Sequence, residues 1–574
     1  MRLPPEPICS SGPVTASPNS NAIRDGIMYY FQLIRGEMQS SLNRLVIMAG
    51  LGGFSSAAIL AAINAGAQAA DNGKVSLWAA ALFIIGLLLF IKTQQYILIT
   101  TTAEIEAIIH KLRVRLMDYV RHSELLPLEA IGRAEIVAAI TRETAILTQA
   151  STTLAFAAQG GLLIFFVGIY VAYMSLLAFA LSVVIIGVAG VLFHAKSRQL
   201  AMDTRETSMW ENRLYDRLTD LLNGFKEVKL NSSRSDDLYH HIVEVSRAAA
   251  NIKIRSQSET FQRMVFLQSS LYSLLGAIAF AVPIFSDMMG GGSITKTVTA
   301  LVFVVGACFG LVQSIPIVAA ANGAAENIER LEAKLLATLS PAQVSAAEPP
   351  KRFDKIEMHN VEFRYVDKWS EAVFKVGPIN FTLQSGDLVF ITGGNGSGKS
   401  TFMKLLAGLY KPESGEITFD GVGVRDSTYD TYRGLIAAIF PDFQLFQRLY
   451  GIPDPDPAEV DRLLTQFRLL DKTRLTDGEF RTTDLSSGQR KRLALIVSLL
   501  EKRPILLLDE WAADQDPEFR RKFYYELLPS LNQAGVTVVA ITHDDRYIEE
   551  MEVPARKLHM DEGRLVELHS VENG

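Results

Sequence analysis

Cysteine is nearly absent. Cys9 and Cys308 are the two in 574 residues, one in a polar stretch and one in an apolar segment, so neither a disulfide framework nor a metal cluster can be assembled. An excess of positive charge is missing too: at a formal net charge of -6 the chain offers no block of Lys and Arg to neutralise a phosphate backbone, which excludes nucleic acid as a partner. Residues 1–22, rich in Pro and Ser, lack the charged start and apolar core of a signal peptide. They are expected to form a disordered cytoplasmic tail, too small for a processing domain. A single hydrophobic core is also excluded, because a chain of this length exceeds what one core organises.

What the chain has is apolar length. Hydrophobic residues make up 49% and charged residues 21%, with a mean hydropathy of +0.18; this is high for a soluble enzyme and too charged for a wholly intramembrane protein. A spanning helix needs ~20 apolar residues, because each rises ~1.5 Å and the hydrocarbon is ~30 Å thick. Six segments qualify, roughly 45–65, 75–91, 154–174, 175–193, 264–285 and 298–319, and none holds Asp, Glu, Lys or Arg. The long connectors after the second and fourth carry Arg113, Arg115, Arg121 and Arg133, then Lys196, Arg198, Arg205, Lys226, Lys229 and Arg263. This positive-inside bias puts both termini in the cytoplasm. Helical periodicity in Ile105, Ile108, Ile109 and Leu112 predicts that the connectors continue as helices, with bends at Leu125–Ile131 and Leu222–Leu230 where Pro127 and Gly224 interrupt the pattern. A transmembrane domain over residues 23–340 is thus expected, followed by a small, polar, Pro-bounded linker at 341–350. Gln159, Tyr170, Tyr173, Gln268, Tyr272 and Gln313 are candidates to line a cargo cavity and equally candidates for interhelix packing. No ionisable pair lies within the spans, so ion-driven transport has no relay to run on.

Residues 351–574 read as an α/β P-loop ATPase domain. Strand-like Leu388-Val389-Phe390-Ile391 runs into Gly393-Gly394-Asn395-Gly396-Ser397-Gly398-Lys399-Ser400, and helical spacing begins at Thr401. Such a loop aims backbone N–H groups at phosphates, aided by the helix N-terminus. Gly393, Asn395, Gly396, Ser397, Gly398 and Thr401 are therefore candidate ATP ligands, Lys399 would neutralise the β/γ-phosphates, and Ser400 would bind Mg²⁺. A second apolar run, Ile505–Leu508, brings Asp509 and Glu510 to the C-terminal edge of a parallel sheet. Asp509 would hold Mg²⁺ through water. Glu510 would act as general base on the attacking water, help typically worth ~10² to 10⁴ in rate. A third run, Thr537–Ile541, delivers His543 to the same edge.

With Leu485-Ser486-Ser487-Gly488-Gln489 between them, these motifs resemble the nucleotide-binding domain of an ABC transporter, and the six spans ahead of them resemble those of a half-size exporter. The resemblance covers nearly the whole chain. It implies a multidomain membrane protein, with an all-α six-helix transmembrane domain of exporter type joined to the α/β ATPase. It also implies that Ser486, Gly488 and Gln489 complete the ATP site of a second copy, so that a homodimer in the bilayer encloses two ATP molecules. Tyr365 matches the aromatic that stacks on adenine; a strand aromatic in the core is the other reading. Asp509-Glu510-Trp511-Ala512-Ala513-Asp514-Gln515-Asp516-Pro517, Thr542-His543-Asp544-Asp545-Arg546-Tyr547 and Gly224-Phe225-Lys226-Glu227-Val228-Lys229-Leu230-Asn231 look like the cyclic peptide exporter branch, which includes pyoverdine-precursor and lasso-peptide exporters of bacterial inner membranes. Asp516 then takes the place of the aspartate that communicates between the two ATP sites.

Two departures stand out. Pro441 occupies the position of the glutamine that in relatives binds Mg²⁺ and senses the membrane domain, leaving Asp442 or Gln444 to substitute. Phe446 to Asp484 is short for the helical subdomain of an exporter. The expectation is ATP-driven export of a peptide or siderophore-type molecule across a bacterial inner membrane. A lipid flippase, a multidrug exporter and a non-transporting ATP-gated regulator are the alternatives.

Overall fold

A computed structural model describes residues 30, 42–174, 176, 178–184, 187, 197–281, 292–339, 350, 352–366, 373–452 and 454–567. The chain divides into a helical unit, residues 1–118 and 133–334, and a sheet unit, residues 119–132 and 335–574. The expected tail at 1–22 lies outside the described residues, as does the expected linker at 341–350 apart from Pro350.

In the helical unit the chain runs through α1 (Leu42–Asp71) and α2 (Leu77–His122), whose last four residues belong to the sheet unit along with α3 (Leu125–Ile131). It continues through α4 (Arg133–Ala138), a π turn (Ala139–Glu143), α5 (Thr144–Met174), α6 (Ser197–Asn223), α7 (Phe225–Leu230), α8 (Ser232–Gly276) with a π turn to Ala281, and α9 (Gly292–Ala337). Among the described residues four helical stretches are long and apolar enough to cross a membrane: Asn43–Ala70, Leu77–His122, Arg133–Met174 and Val298–Ala337. Of the six expected spans, 175–193 is described at residues 176, 178–184 and 187, which are helical. The fifth, 264–285, is the end of α8 and its π turn; Gln268, Ser269, Ser270 and Ser273 dilute the helical part, and the apolar run continues beyond it. These helices pack through small residues, as membrane helices do when lipid is as apolar as Leu. A Cβ on Gly53 would come within 3.0 Å of the Leu162 backbone. Arg113 donates to Ile140 O and to Thr144 Oγ1, and Arg115 pairs with Glu332 at 2.9 Å, so these two arginines tie helices together.

The sheet unit carries β1 (Lys355–Val366), β2 (Val373–Gln384), β3 (Leu388–Thr392), α10 (Lys399–Leu406), β4 (Ser414–Phe419), β5 (Val422–Gly423), α11 (Tyr429–Arg433), β6 (Ile436–Ile439) and α12 (Pro457–Gln466). A two-residue hairpin at 475–480 leads to α13 (Ser487–Leu500), β7 (Ile505–Asp509), a 3-10 turn (Trp511–Asp514), α14 (Pro517–Lys522), a π turn, α15 (Leu528–Gln533), β8 (Thr537–Ile541), α16 (Asp545–Glu549), β9 (Arg556–Asp561) and β10 (Arg564–Glu567). Among the described residues, besides the two-stranded hairpin, one sheet has the order β2-β1-β4-β5 and a second the order β10-β9-β3-β8-β7-β6. In the second sheet β9, β3, β8, β7 and β6 are parallel. Strand alternation sends Phe390, Leu506, Leu508 and Val538 into one core, and Val389, Ile391, Leu507 and Val539 into another. Burial on both faces explains the uninterrupted apolar runs in the sequence.

The segment 119–132 is held to the sheet unit by charge. Glu124 pairs with Arg433 at 2.5 Å and with Lys411 at 3.3 Å. Glu129 accepts from Tyr410 Oη at 2.7 Å and from Lys404 of α10 at 3.3 Å, while Leu125 and Leu126 pack against the second core.

Candidate nucleotide site

The glycine loop leaves β3 and turns into α10 through backbone that other residues rarely adopt. Gly393 has φ 142, and a Cβ there would sit 2.2 Å from Met560 O; Gly398, at φ 106, caps α10. At the mouth of this loop the buried Lys399 donates from Nζ to the carbonyls of Gly393 and Gly394, each at 2.8 Å. Asn395, Gly396 and Ser400 are exposed and Thr401 is half-buried. The Ser397 hydroxyl is buried without a hydrogen-bond partner.

Because β8 lies between β3 and β7, the loop, Asp509, Glu510 and His543 all emerge at one edge of the sheet. Asp509 is buried, and neither carboxylate oxygen has a hydrogen-bond partner. Burial pushes its pKa up, opposed by the Ser400 hydroxyl, reinforced by the charge of Glu510, and opposed again by Lys399 and Lys491. Two orphaned anionic oxygens beside a serine hydroxyl fit a hydrated Mg²⁺, which would supply the missing partners. Glu510 takes the left-handed conformation at φ 49 and donates its N–H to Ile541 O at 3.1 Å. Its Oε1 lies 3.4 Å from His543 Nε2. The strand exit beneath His543 is fastened by Thr542, whose Oγ1 meets Tyr524 Oη at 2.7 Å and accepts from Asp544 N at 3.0 Å.

The other candidates sit elsewhere. Ser486 caps α13 in a reciprocal capping box with Gln489, so both side chains are engaged locally. Gly488 is packed so closely that a Cβ would fall 2.7 Å from Asp514 O. Asp516 caps α14, accepting from Phe519 N at 2.9 Å, and pairs with Arg492; the Phe519 N–H holds its carboxyl below the usual range, opposed by burial and helped by Arg492. These contacts join the signature segment to residues 514–516 rather than to the glycine loop. Tyr365 pairs with Phe374 across β1 and β2 and is half exposed, which removes the core reading for it. Pro441 and Asp442 form a turn after β6; Asp442 is exposed, and Gln444 gives its amide to the adjacent Leu445 O at 3.2 Å.

Sequence reasoning missed Lys491 and Arg492. In Gln489-Arg490-Lys491-Arg492 they look like a solvated basic run, yet both are buried. The available signal was α13's apolar periodicity, which places both residues near its packed face.

Residues 376–513 match the family described as ABC transporter. The ATP-binding protein SyrD of Pseudomonas syringae pv. syringae is 34% identical over 448 residues, 74% of this chain and 77% of that protein. The chain belongs to the ABC transporters. A second relative of this ABC transporter is the mycobactin import ATP-binding/permease protein IrtB of Mycolicibacterium thermoresistibile, 28% identical over 53% of this chain and 52% of that protein. A bacterial Atm1-family ABC exporter solved with ATP bound superposes with a TM-score of 0.73 at 19% identity, covering 92% of this chain and 95% of that one. The transporter therefore has the ABC exporter fold, with an apolar helical part ahead of an ABC ATPase, and its ATPase is coupled to transport.

Proposed function

We propose that this ABC exporter moves a peptide or siderophore-type molecule outward across the bacterial inner membrane, as a homodimer with both termini cytoplasmic. In this reading residues 23–340 form the transmembrane domain and 351–574 the nucleotide-binding domain, joined by 341–350 and preceded by a tail at 1–22. The observation that carries its ATP-driven step is the convergence of Lys399, Asp509, Glu510 and His543 on one sheet edge.

The chemistry follows from that edge. Tyr365 stacks on adenine and the glycine loop and Lys399 hold the phosphates, while Ser400 and Asp509 would hold Mg²⁺, which would supply charge neutralisation at the phosphates. Glu510 takes a proton from water, the water oxygen attacks the γ-phosphorus, and the bond to the bridging oxygen of ADP breaks. His543 contacts the γ-phosphate. Ser486 and Gln489, engaged with each other at the start of α13, and Gly488, packed against Asp514 and Gln515, complete the site of the second copy. Asp442 and Gln444 stand where the metal-sensing glutamine is missing.

In the helical unit Gln268 and Tyr272 line an apolar groove of about 300 Å³ with Leu271, Leu275, Val302 and Phe309, which gives these two the better claim to cargo. Gln159 is buried against Gly52, and Tyr170 accepts from Asn64 Nδ2 at 3.2 Å, as helix-packing residues do. The relative named for mycobactin import favours a second reading, inward movement. Comparing metabolites inside the host cell and outside its inner membrane, with wild type and Glu510→Gln, separates the readings. Export predicts a compound lost outside and retained inside in the variant. The opposite shift means import, a changed lipid distribution means a flippase, and no change of any kind means a regulator.

A further inference from the structure

Lys491 has a task that the site described so far leaves unassigned. It lies one turn into α13, is only 6% exposed, and a buried ammonium is retained only when it is paired. Its Nζ donates to the backbone carbonyl of Glu510 at 2.8 Å and to Asp514 Oδ2 at 2.8 Å. In return, Trp511 Nε1 donates to the carbonyl of Lys491 at 2.8 Å. One side chain therefore braces the 3-10 turn from the residue before it to its last residue.

The brace acts on an unusual backbone. Glu510 holds a left-handed conformation that non-glycine residues keep only when their surroundings over-determine it. Its N–H is fixed to β8 through Ile541 O, and its C=O is fixed to α13 through Lys491, so the backbone is pinned on both sides and the carboxylate is left to meet His543. The rest of the contact is equally close. Gln515 Nε2 donates to Gly488 O at 3.2 Å, Arg492 Nε donates to Gln515 Oε1 at 2.8 Å, and no side chain fits at Gly488. The signature segment and residues 510–516 are thus joined by a continuous set of contacts.

We propose that Lys491 is a positioning residue for Glu510, through which the placement of the signature helix sets the geometry of the water-activating carboxylate. The inference rests on the reading of Glu510 as the general base. Its consequence is that a disturbance at Ser486 or Gly488 reaches the hydrolytic step of the chain's own site as well as that of the second copy.

The test uses the full-length transporter in lipid nanodiscs, with steady-state ATP hydrolysis, affinity for a fluorescent ATP analogue and thermal stability measured on each variant. Lys491→Met is expected to lower kcat about 10- to 100-fold while KM and analogue affinity stay within about two-fold. Lys491→Arg, which keeps a buried cation, should restore most of that loss. Asp514→Asn loosens the ammonium without removing it and should lower kcat about three-fold with KM unchanged. Wild-type kcat in Lys491→Met overturns the proposal, as does a loss of nucleotide affinity in proportion to kcat, the mark of a role in stability alone. Should Lys491→Met fail to fold, Asp514→Asn decides, because Asp514 is 46% exposed and tolerates the change: a lowered kcat at constant KM supports the brace, and wild-type kcat overturns it. Glu510→Gln runs alongside; turnover retained there removes the general-base reading itself, whereas an inactive Glu510→Gln beside a normal Lys491→Met removes only the brace.

Discussion

The helical unit shows its apolar residues and the sheet unit hides them. Val46, Ile47, Ile84, Ile85 and Leu88 of α1 and α2 are all more than half exposed, while Val389, Phe390, Ile391, Leu507 and Leu508 of the sheet are completely or almost completely buried. One composition thus serves two solvents. In water, burial of apolar area drives the sheet unit together, and the buried charged groups Lys399, Lys491 and Asp509 lie close enough to act on one another. In lipid, the hydrophobic effect gives helices no reason to associate, so small residues and hydrogen bonds set the packing.

That contrast can be broken at four points. Phe390→Ala removes a fully buried ring beside Tyr524, and chemical unfolding of the sheet unit should show a loss of about 3 to 5 kcal/mol. Lys399→Ala should leave folding intact and weaken ATP binding by about 2 to 3 kcal/mol, read with a fluorescent nucleotide, because a charge-assisted phosphate contact is lost. Glu124→Ala strips Arg433 and Lys411 of a partly buried partner. It should destabilise the segment 119–132 by about 1 to 2 kcal/mol, visible as faster hydrogen exchange there. Ile84→Ala, on an exposed position of α2, should change thermal stability in lipid by less than about 0.5 kcal/mol. A large effect at Ile84 would mean that it packs against protein rather than lipid, and the contrast between the units would fail at that point.

The same contrast governs what the sequence discloses. Loop geometry and parallel strands require particular residues at fixed spacings, so Gly393 to Ser400, Asp509, Glu510 and His543 are legible one by one, and the sheet edge gathers them as the apolar runs predict. Lys491, Glu124 and Glu129 are not legible, because a lysine or glutamate in a polar run carries no mark of the partner that buries it; only the fold brings Glu510 O to Lys491 and Arg433 to Glu124. The break in the long helix at Leu125–Ile131 shows through Pro127, but the residues expected there as a bend form a short helix of their own. Gln159 and Gln268 look alike in sequence, each a lone amide in an apolar run, and packing alone separates the buried one from the one that lines a groove.

The most direct test of the account is ATP binding and single-turnover hydrolysis by Glu510→Gln in lipid. The geometry predicts wild-type nucleotide affinity with hydrolysis slowed at least about 100-fold. Hydrolysis close to the wild-type rate would contradict it and move the activation of water away from this sheet edge.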